Sequence, residues 1–264
     1  MRVTILGSGT SSGVPMIGCD CAVCTSPNPK NRRLRSSVAI ELGPKRLLLI
    51  DTAPDLRAQA LSVQLPRVDA VLYTHAHADH IHGIDELRTF NIRHLHEIPC
   101  YGNADTIRRL RAYFDYIFDH RQHESLRPFL TLHEVFAPFV LLGVEVVPVP
   151  LLHGKLEVLG YRIGDFAYLT DVSEIPSSSW SLLRGLDVMV IDALRHRPHA
   201  THFSIDQAVA AAERAQPIRC ILTHLSHQVD HETVNKTLPI GVELAYDGLV
   251  LDLADPSLPS ESAT

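Results

Sequence analysis

The run His75-Ala76-His77-Ala78-Asp79-His80 packs three imidazoles and one carboxylate into six consecutive residues. In extended chain His75 and His77 project to the same side, so the pair can share one cation. Asp79 and His80 then turn towards a neighbouring position as the chain enters a helix, and one short segment can thus serve two adjacent ions. Imidazole and carboxylate suit zinc, manganese or iron alike, so the pattern points to divalent-metal chemistry without choosing the metal. Sixteen histidines in 264 residues are more neutral-range titratable groups than an ordinary fold needs, and some are expected to be ligands. Five cysteines, three of them crowded at Cys19, Cys21 and Cys24, do not read as a secreted disulfide framework; reduced thiols suit a metal better.

These residues stand where apolar runs stop. AVLYTH runs into His75, FAYLTD into Asp171, VMVID into Asp192 and RCILTH into His224, which predicts strands that deliver their last residues to one shared edge. Further strands are expected at RVTIL, SVAIEL, KRLLLID, VEVVPVP and GLVLDL. Helical patterns cover residues 79–90, 104–118, 178–185 and 204–215, the last opening with Ser204 and Gln207 in capping-box spacing. This order fits two sheets packed face to face with helices outside, although composition alone fits a doubly wound α/β sheet as well. No interdomain linker is visible, so one domain over residues 1–254 is expected, followed by a Pro- and Ser-rich tail, 255–264, that frays.

With 24 basic and 30 acidic residues, the formal charge of −6 argues against a protein that coats nucleic acid through a broad basic face. No apolar run approaches the roughly 20 residues that span a bilayer. The chain begins MRVTILGSG, a strand and a glycine turn rather than a charged and then apolar leader, so a cytoplasmic protein is expected. The GSGTSSG turn either offers backbone N–H groups to an anion or is simply a tight turn.

The HxHxDH run with Gly83 resembles the metallo-β-lactamase superfamily, and the resemblance extends over nearly the whole chain. Asp51 at the end of an early strand, the motif itself, His153 in PVPLLHG, Asp171 in YLTDVS and His224 in ILTHLSH follow the superfamily's order. It implies an α/β fold, an αββα sandwich of two mixed β-sheets flanked by helices, with a dinuclear centre. His75, His77 and His153 would hold one ion, Asp79, His80 and His224 the other, and Asp171 would bridge them, leaving room for a bridging hydroxide. A narrower resemblance, to the phosphoribosyl 1,2-cyclic phosphate phosphodiesterases, rests on GSGTSSGVP, GCDCAVC, His202 ahead of a helix after VMVIDA, and LTHLSHQ. It implies a structural zinc on Cys19, Cys21, Cys24 and His227, a closed Cys₃His shell, and it favours a homodimer.

The activity so implied is hydrolysis of a small phosphodiester, a cyclic one foremost, with His202, Asp79 and Asp171 as the catalytic residues. His202 would contact the phosphate and protonate the leaving group; Asp51 and Asp192 would orient ligand histidines. The expected cofactors are two divalent ions, zinc or manganese, and one structural zinc; neither membrane nor nucleic acid is an expected partner. Three alternatives use the same residues. A tRNA 3′-processing endonuclease normally carries a Gly- and Pro-rich arm not found here. A thioester or lactone hydrolase would use the same nucleophile on carbon, and a metal-storage or metal-sensing protein would use the histidines without chemistry.

Overall fold

In the computed structural model, which describes residues 1–119 and 126–256, the strands form two sheets. The first comprises β1 (Arg2–Gly7), β2 (Ser37–Glu41), β3 (Leu47–Ile50), β4 (Ala70–Leu72), β5 (Ile98–Gly102) and β6 (Leu130–Glu134). The second comprises β7 (Phe139–Leu141), β8 (Val144–His153), β9 (Leu156–Ile163), β10 (Phe166–Leu169), β11 (Val188–Asp192), β12 (Arg219–Thr223) and β13 (Val242–Leu244), after which β14 (Val250–Asp252) returns to the first. The orders are β14-β1-β2-β3-β4-β5-β6 and β13-β12-β11-β10-β9-β8-β7. Each sheet is antiparallel in one part and parallel in the other. β3 to β6 run parallel in the first, β10 to β13 in the second.

Why strands such as LLLI are apolar without a break follows from where their two faces go. Leu48 and Ile50 of β3, with Val38 and Ile40 of β2, point into a core between the sheets, where they meet Val146, Tyr161, Phe166 and Val190. Leu47 and Leu49 point the other way, onto α1 (Leu56–Ser62), α3 (Leu87–His94) and α4 (Ala104–Tyr113), through Leu56, Leu87, Phe90, Ile107 and Leu110. In the second sheet Met189 and Ile191 pack outward against Ala208, Ala211 and Ala212 of α6 (Ile205–Ala215). Both faces of the sheets are covered, which is the four-layer αββα sandwich. At roughly 1.5–3 kcal/mol for each fully buried Leu, Ile or Val, these three cores dominate the favourable side of folding.

The motif helix is broken where the pattern suggested continuity over 79–90. α2 (Ala78–Ile81) stops, a 3₁₀ turn covers Ile84–Glu86, and α3 starts at Leu87. Gly83 explains the break. Its N–H donates to the Thr52 carbonyl at 2.9 Å, and a Cβ there would lie 2.0 Å from the Ala53 oxygen, so only glycine lets the chain pass this close. Residues 104–118 likewise divide at Phe114 into α4 and α5 (Asp115–Phe118), and 178–185 forms a 3₁₀ segment, Ser177–Leu183, rather than an α-helix. α7 (His231–Asn235) completes the set. Of the expected frayed tail, residues 257–264 lie outside those described, while the Asp255 carboxylate is engaged by the N-terminal ammonium of Met1.

Candidate metal centre

The parallel strands of both sheets end at the same edge. Asp51 follows β3, His75 to His80 follow β4, Asp171 follows β10, Asp192 ends β11 and His224 follows β12; His153 ends β8. Three of these, Asp51, Asp171 and His224, sit in the left-handed region with φ of 61°, 55° and 59°. That conformation is costly for residues with a Cβ, at about 1–3 kcal/mol each, and here it turns a strand-end side chain off the strand direction and into the edge.

The turned side chains converge in two overlapping groups. His75, His77, His153 and Asp171 bring their ligand atoms within 4.8 Å of one another, as do Asp79, His80, Asp171 and His224, so Asp171 belongs to both. His75 Nε2 and His153 Nε2 each lie 3.8 Å from Asp171 Oδ2, while His80 Nε2 lies 3.2 Å from Asp171 Oδ1 and 3.2 Å from Asp79 Oδ2. His224 Nδ1 is 3.3 Å from Asp171 Oδ1. Burial, first of all, pushes His75, His77 and His153 down, which leaves neutral lone pairs of the kind a cation takes. Asp79 and Asp171 are held below the usual carboxylate range, burial notwithstanding, by the surrounding imidazoles. His75 Nε2 and His80 Nε2 are buried with no hydrogen-bond partner among the described residues. Orphaned imidazole nitrogens facing carboxylates are what an ion seated between them would satisfy, so the residues fit a pair of divalent cations.

Neighbours fix the rings. The His80 Nδ1–H donates to Asp51 Oδ2 at 2.7 Å, and Asp51 also accepts from the Thr74 N–H and hydroxyl at 2.8 Å each. The His153 Nδ1–H donates to the Thr201 carbonyl at 2.6 Å. The hydroxyls of Thr10, Ser36 and Thr170 lie 3.2, 3.2 and 3.5 Å from ring nitrogens of His224. Asp51 thus meets a ligand-group histidine, His80. Asp192 does not: its Oδ2 accepts from His202 Nδ1 at 2.8 Å, so the carboxylate expected to orient a ligand histidine orients His202 instead. The His202 ring packs 4.6 Å from the His153 ring and 4.8 Å from that of His224, which places it across both groups.

These orienting hydroxyls and the Thr201 carbonyl escape a motif search, yet a signal was present. A threonine directly precedes two of the strand-end residues and supplies such a hydroxyl, as in Thr74-His75 and Thr170-Asp171. The reading of GSGTSSG as an anion cradle finds no support, because four of its N–H groups are engaged: Ser8 with the Asp247 carboxylate, Gly9, Thr10 and Gly13 with the carbonyls of Leu34, Leu225 and Thr10.

A cleft of about 240 Å³ borders the centre on the His77 side, lined by His75, His77, Thr106, Arg109, Leu156 and Glu157. A larger hollow of about 490 Å³ between α1 and α3 holds none of the ligand groups, so donor chemistry rather than size marks the site.

Cys19, Cys21, Cys24 and His227 form a third group, again with ligand atoms within 4.8 Å of one another. Cys19 Sγ and Cys21 Sγ lie 3.3 and 3.4 Å from His227 Nδ1. A tetrahedral zinc with ordinary Zn–S and Zn–N bonds sets that separation near about 3.5 Å. The Cys24 N–H and the His227 ring bring the Cys21 thiol down to about 6, and burial pushes the neutral Cys24 up to about 11.

A family model described as a beta-lactamase superfamily domain matches residues 46–225. An octanoyltransferase of Porphyromonas gingivalis is 37% identical over 253 residues, 94% of this chain and 51% of that protein. The chain spans about half the length of the curated relatives it matches. Among solved structures, a diphosphatase from the PhnP family superposes with a TM-score of 0.89 at 45% identity, covering 96% of this chain and 98% of the other. Zinc-bound PqqB from Methylobacterium extorquens superposes with a TM-score of 0.80 at 19% identity, over 96% and 100% of the two chains, a likeness of fold alone.

Proposed function

The chain belongs to the β-lactamase superfamily, and from that premise we propose that it is a hydrolase, a metal-dependent phosphodiesterase acting on a small, foremost cyclic, phosphodiester. The observation that carries the reading is His202, anchored by Asp192 and packed across both ligand groups. With Nδ1 committed to Asp192, Nε2 is the nitrogen left to hold a proton for a leaving alkoxide. Burial works against the charged ring, but the Asp192 hydrogen bond and charge outweigh it and raise its affinity for that proton. The 45% identity to a PhnP-family diphosphatase supports phosphorus over carbon as the electrophile. The octanoyltransferase gives acyl transfer no comparable support, since the chain spans only 51% of it.

Two divalent ions, zinc or manganese, held by His75, His77, His153, Asp79, His80, His224 and the shared Asp171, would supply a water of lowered pKa and charge neutralisation at phosphorus. A structural zinc would sit on Cys19, Cys21, Cys24 and His227. The protein's own residues do the rest. Asp51 keeps His80 in one tautomer, the Thr201 carbonyl does so for His153, His202 protonates the departing oxygen, and the cleft beside His77 admits the substrate. In this reading the substrate is the partner, and the active form is a homodimer.

The test compares two leaving groups. His202→Ala should lose about 10²-fold or more on an alkyl or ribose cyclic phosphate and clearly less on bis-nitrophenyl phosphate, whose leaving group needs no proton. Equal losses leave His202 a phosphate clamp. Wild-type protein that cleaves a thioester or a pre-tRNA but neither phosphodiester refutes the proposal.

A further inference from the structure

Arg33 is 1% exposed and is the largest side chain the fold buries so completely. Its partners are neutral oxygens. Nη1 donates to the Ser226 carbonyl at 3.1 Å, and Nη2 donates to the Val229 carbonyl at 2.8 Å and to Asn31 Oδ1 at 3.1 Å. Burial pulls the guanidinium down to about 10, with Asp247 and Asp230 opposing that only in part. A buried charge is costlier to the fold than an apolar residue of the same size, so what this one grips needs explaining. The gripped carbonyls flank His227, and Ser226 is two residues past His224. Along this one turn His224 is delivered to Asp171 and His227 to Cys19 and Cys21. The other end of Arg33 reaches the cysteine loop. Its backbone exchanges hydrogen bonds of 2.7 and 2.9 Å with Val14, close to Met16, whose N–H donates to Cys24 Sγ. Asn31, held by the same guanidinium, donates to Ser26 Oγ and Asp230 Oδ2 and accepts from the His231 N–H.

We infer that Arg33 is a positioning residue that couples the thiolate site to the dinuclear centre, its fork fixing the Ser226 and Val229 carbonyls so that His227 and His224 are presented in one frame. A guanidinium does this because it offers several donors in a rigid plane, whereas an ammonium is a single point. The inference rests on reading both clusters as metal sites.

The test is metal retention by folded holoprotein against a graded chelator, with metal analysis, well below the melting temperature. Arg33→Met should release the thiolate-site zinc and one of the two active-site ions about 10-fold more readily, while the ion on His75, His77 and His153 stays. Arg33→Lys keeps the charge without the fork; it should behave like Arg33→Met, and it carries the test if the methionine variant does not fold. A merely structural arginine would lower the melting temperature and leave the folded protein's affinities alone. Cys21→Ser adds the coupling arm. It should weaken the His224-side ion in the wild-type background and add little in Arg33→Met, because both act through one turn. A folded Arg33 variant with wild-type retention, or additive losses in the double variant, overturns the inference. Wild-type protein with no zinc on the cysteines fails the parent reading instead, in a separate sample.

Discussion

Asp51, Asp171 and His224 do with backbone what the motif does with spacing, since a left-handed residue after a strand re-aims its side chain by conformation. No local pattern announces φ at a residue that is not glycine. The order of the ligands and their meeting at one edge are therefore readable in the sequence, but the backbone turn that aims each side chain is not, and the Asp192–His202 pair, ten residues apart, is invisible to spacing arguments. Asp247 is a further residue that sequence reasoning passed over. Its half-buried carboxylate accepts from the Ser8 N–H and hydroxyl at 2.9 and 2.7 Å and from the Leu34 N–H at 2.7 Å, holding the loop that places Thr10 against His224. Burial raises it to about 6, above an unfolded value of roughly 3.9. Between those values the folded state binds the proton that the unfolded state has released, so this group's contribution to stability falls as pH rises from about 4 to 6 and is level above that. Asp247→Asn should remove that slope. The check is the difference in urea-unfolding free energy between wild type and variant across pH 4–8, where the expected change is on the order of 2–3 kcal/mol. Parallel curves would mean that Asp247 does not titrate there.

Among the elements, those whose two faces are both buried announced themselves, as β3 and β11 did with LLLI and VMVI. β5 and β9 did not. IPCYG carries a proline, and LEVLGYRI is interrupted by Gly160, where a Cβ would stand 2.5 Å from Leu169 Cδ2 and 2.9 Å from the Tyr168 oxygen. Close packing removed the side chain that pattern reasoning needs. α6 was legible from its start. Gln207 N–H donates to Ser204 Oγ at 3.3 Å, and Ser204 N–H donates to Gln207 Oε1 at 2.9 Å. This cap lies two residues past His202, on a loop also tied by Ile205 N–H to the Arg195 carbonyl and Leu194 N–H to the Phe203 carbonyl. Ser204→Ala should therefore cost about 1 kcal/mol, read as a lowered urea midpoint with unchanged slope. A variant with the wild-type midpoint would show that the loop's backbone bonds hold the helix start without the cap.

At the scale of the molecule the ligands divide by sheet: His75, His77, Asp79 and His80 follow strand β4 of the first, while His153, Asp171 and His224 close strands of the second. Away from that edge the sheets meet mainly through apolar contacts, and close to it the Tyr161 hydroxyl donates to the Tyr73 carbonyl at 2.8 Å as a polar tie between them. Cations at the edge would be cross-links between the sheets, and they would also offset the charge of Asp79 and Asp171, carboxylates buried among imidazoles. Binding to the folded state alone stabilises by about 4 kcal/mol when free metal is a thousandfold above its dissociation constant. In a domain of this size each kcal/mol moves the melting temperature by about 2–4 °C. Chelation should then lower the melting temperature by about 10 °C or more for the dinuclear centre, and by a separate step for the thiolate zinc. Scanning calorimetry on metal-loaded protein and on chelated protein proved metal-free by elemental analysis, each for wild type and for Cys21→Ser, separates the two steps. Only the dinuclear step should survive in the variant. Metal-free wild type melting within a degree or two of the holoprotein would show that the apolar interface holds the sheets together unaided, and that the ions, where they bind, serve chemistry only.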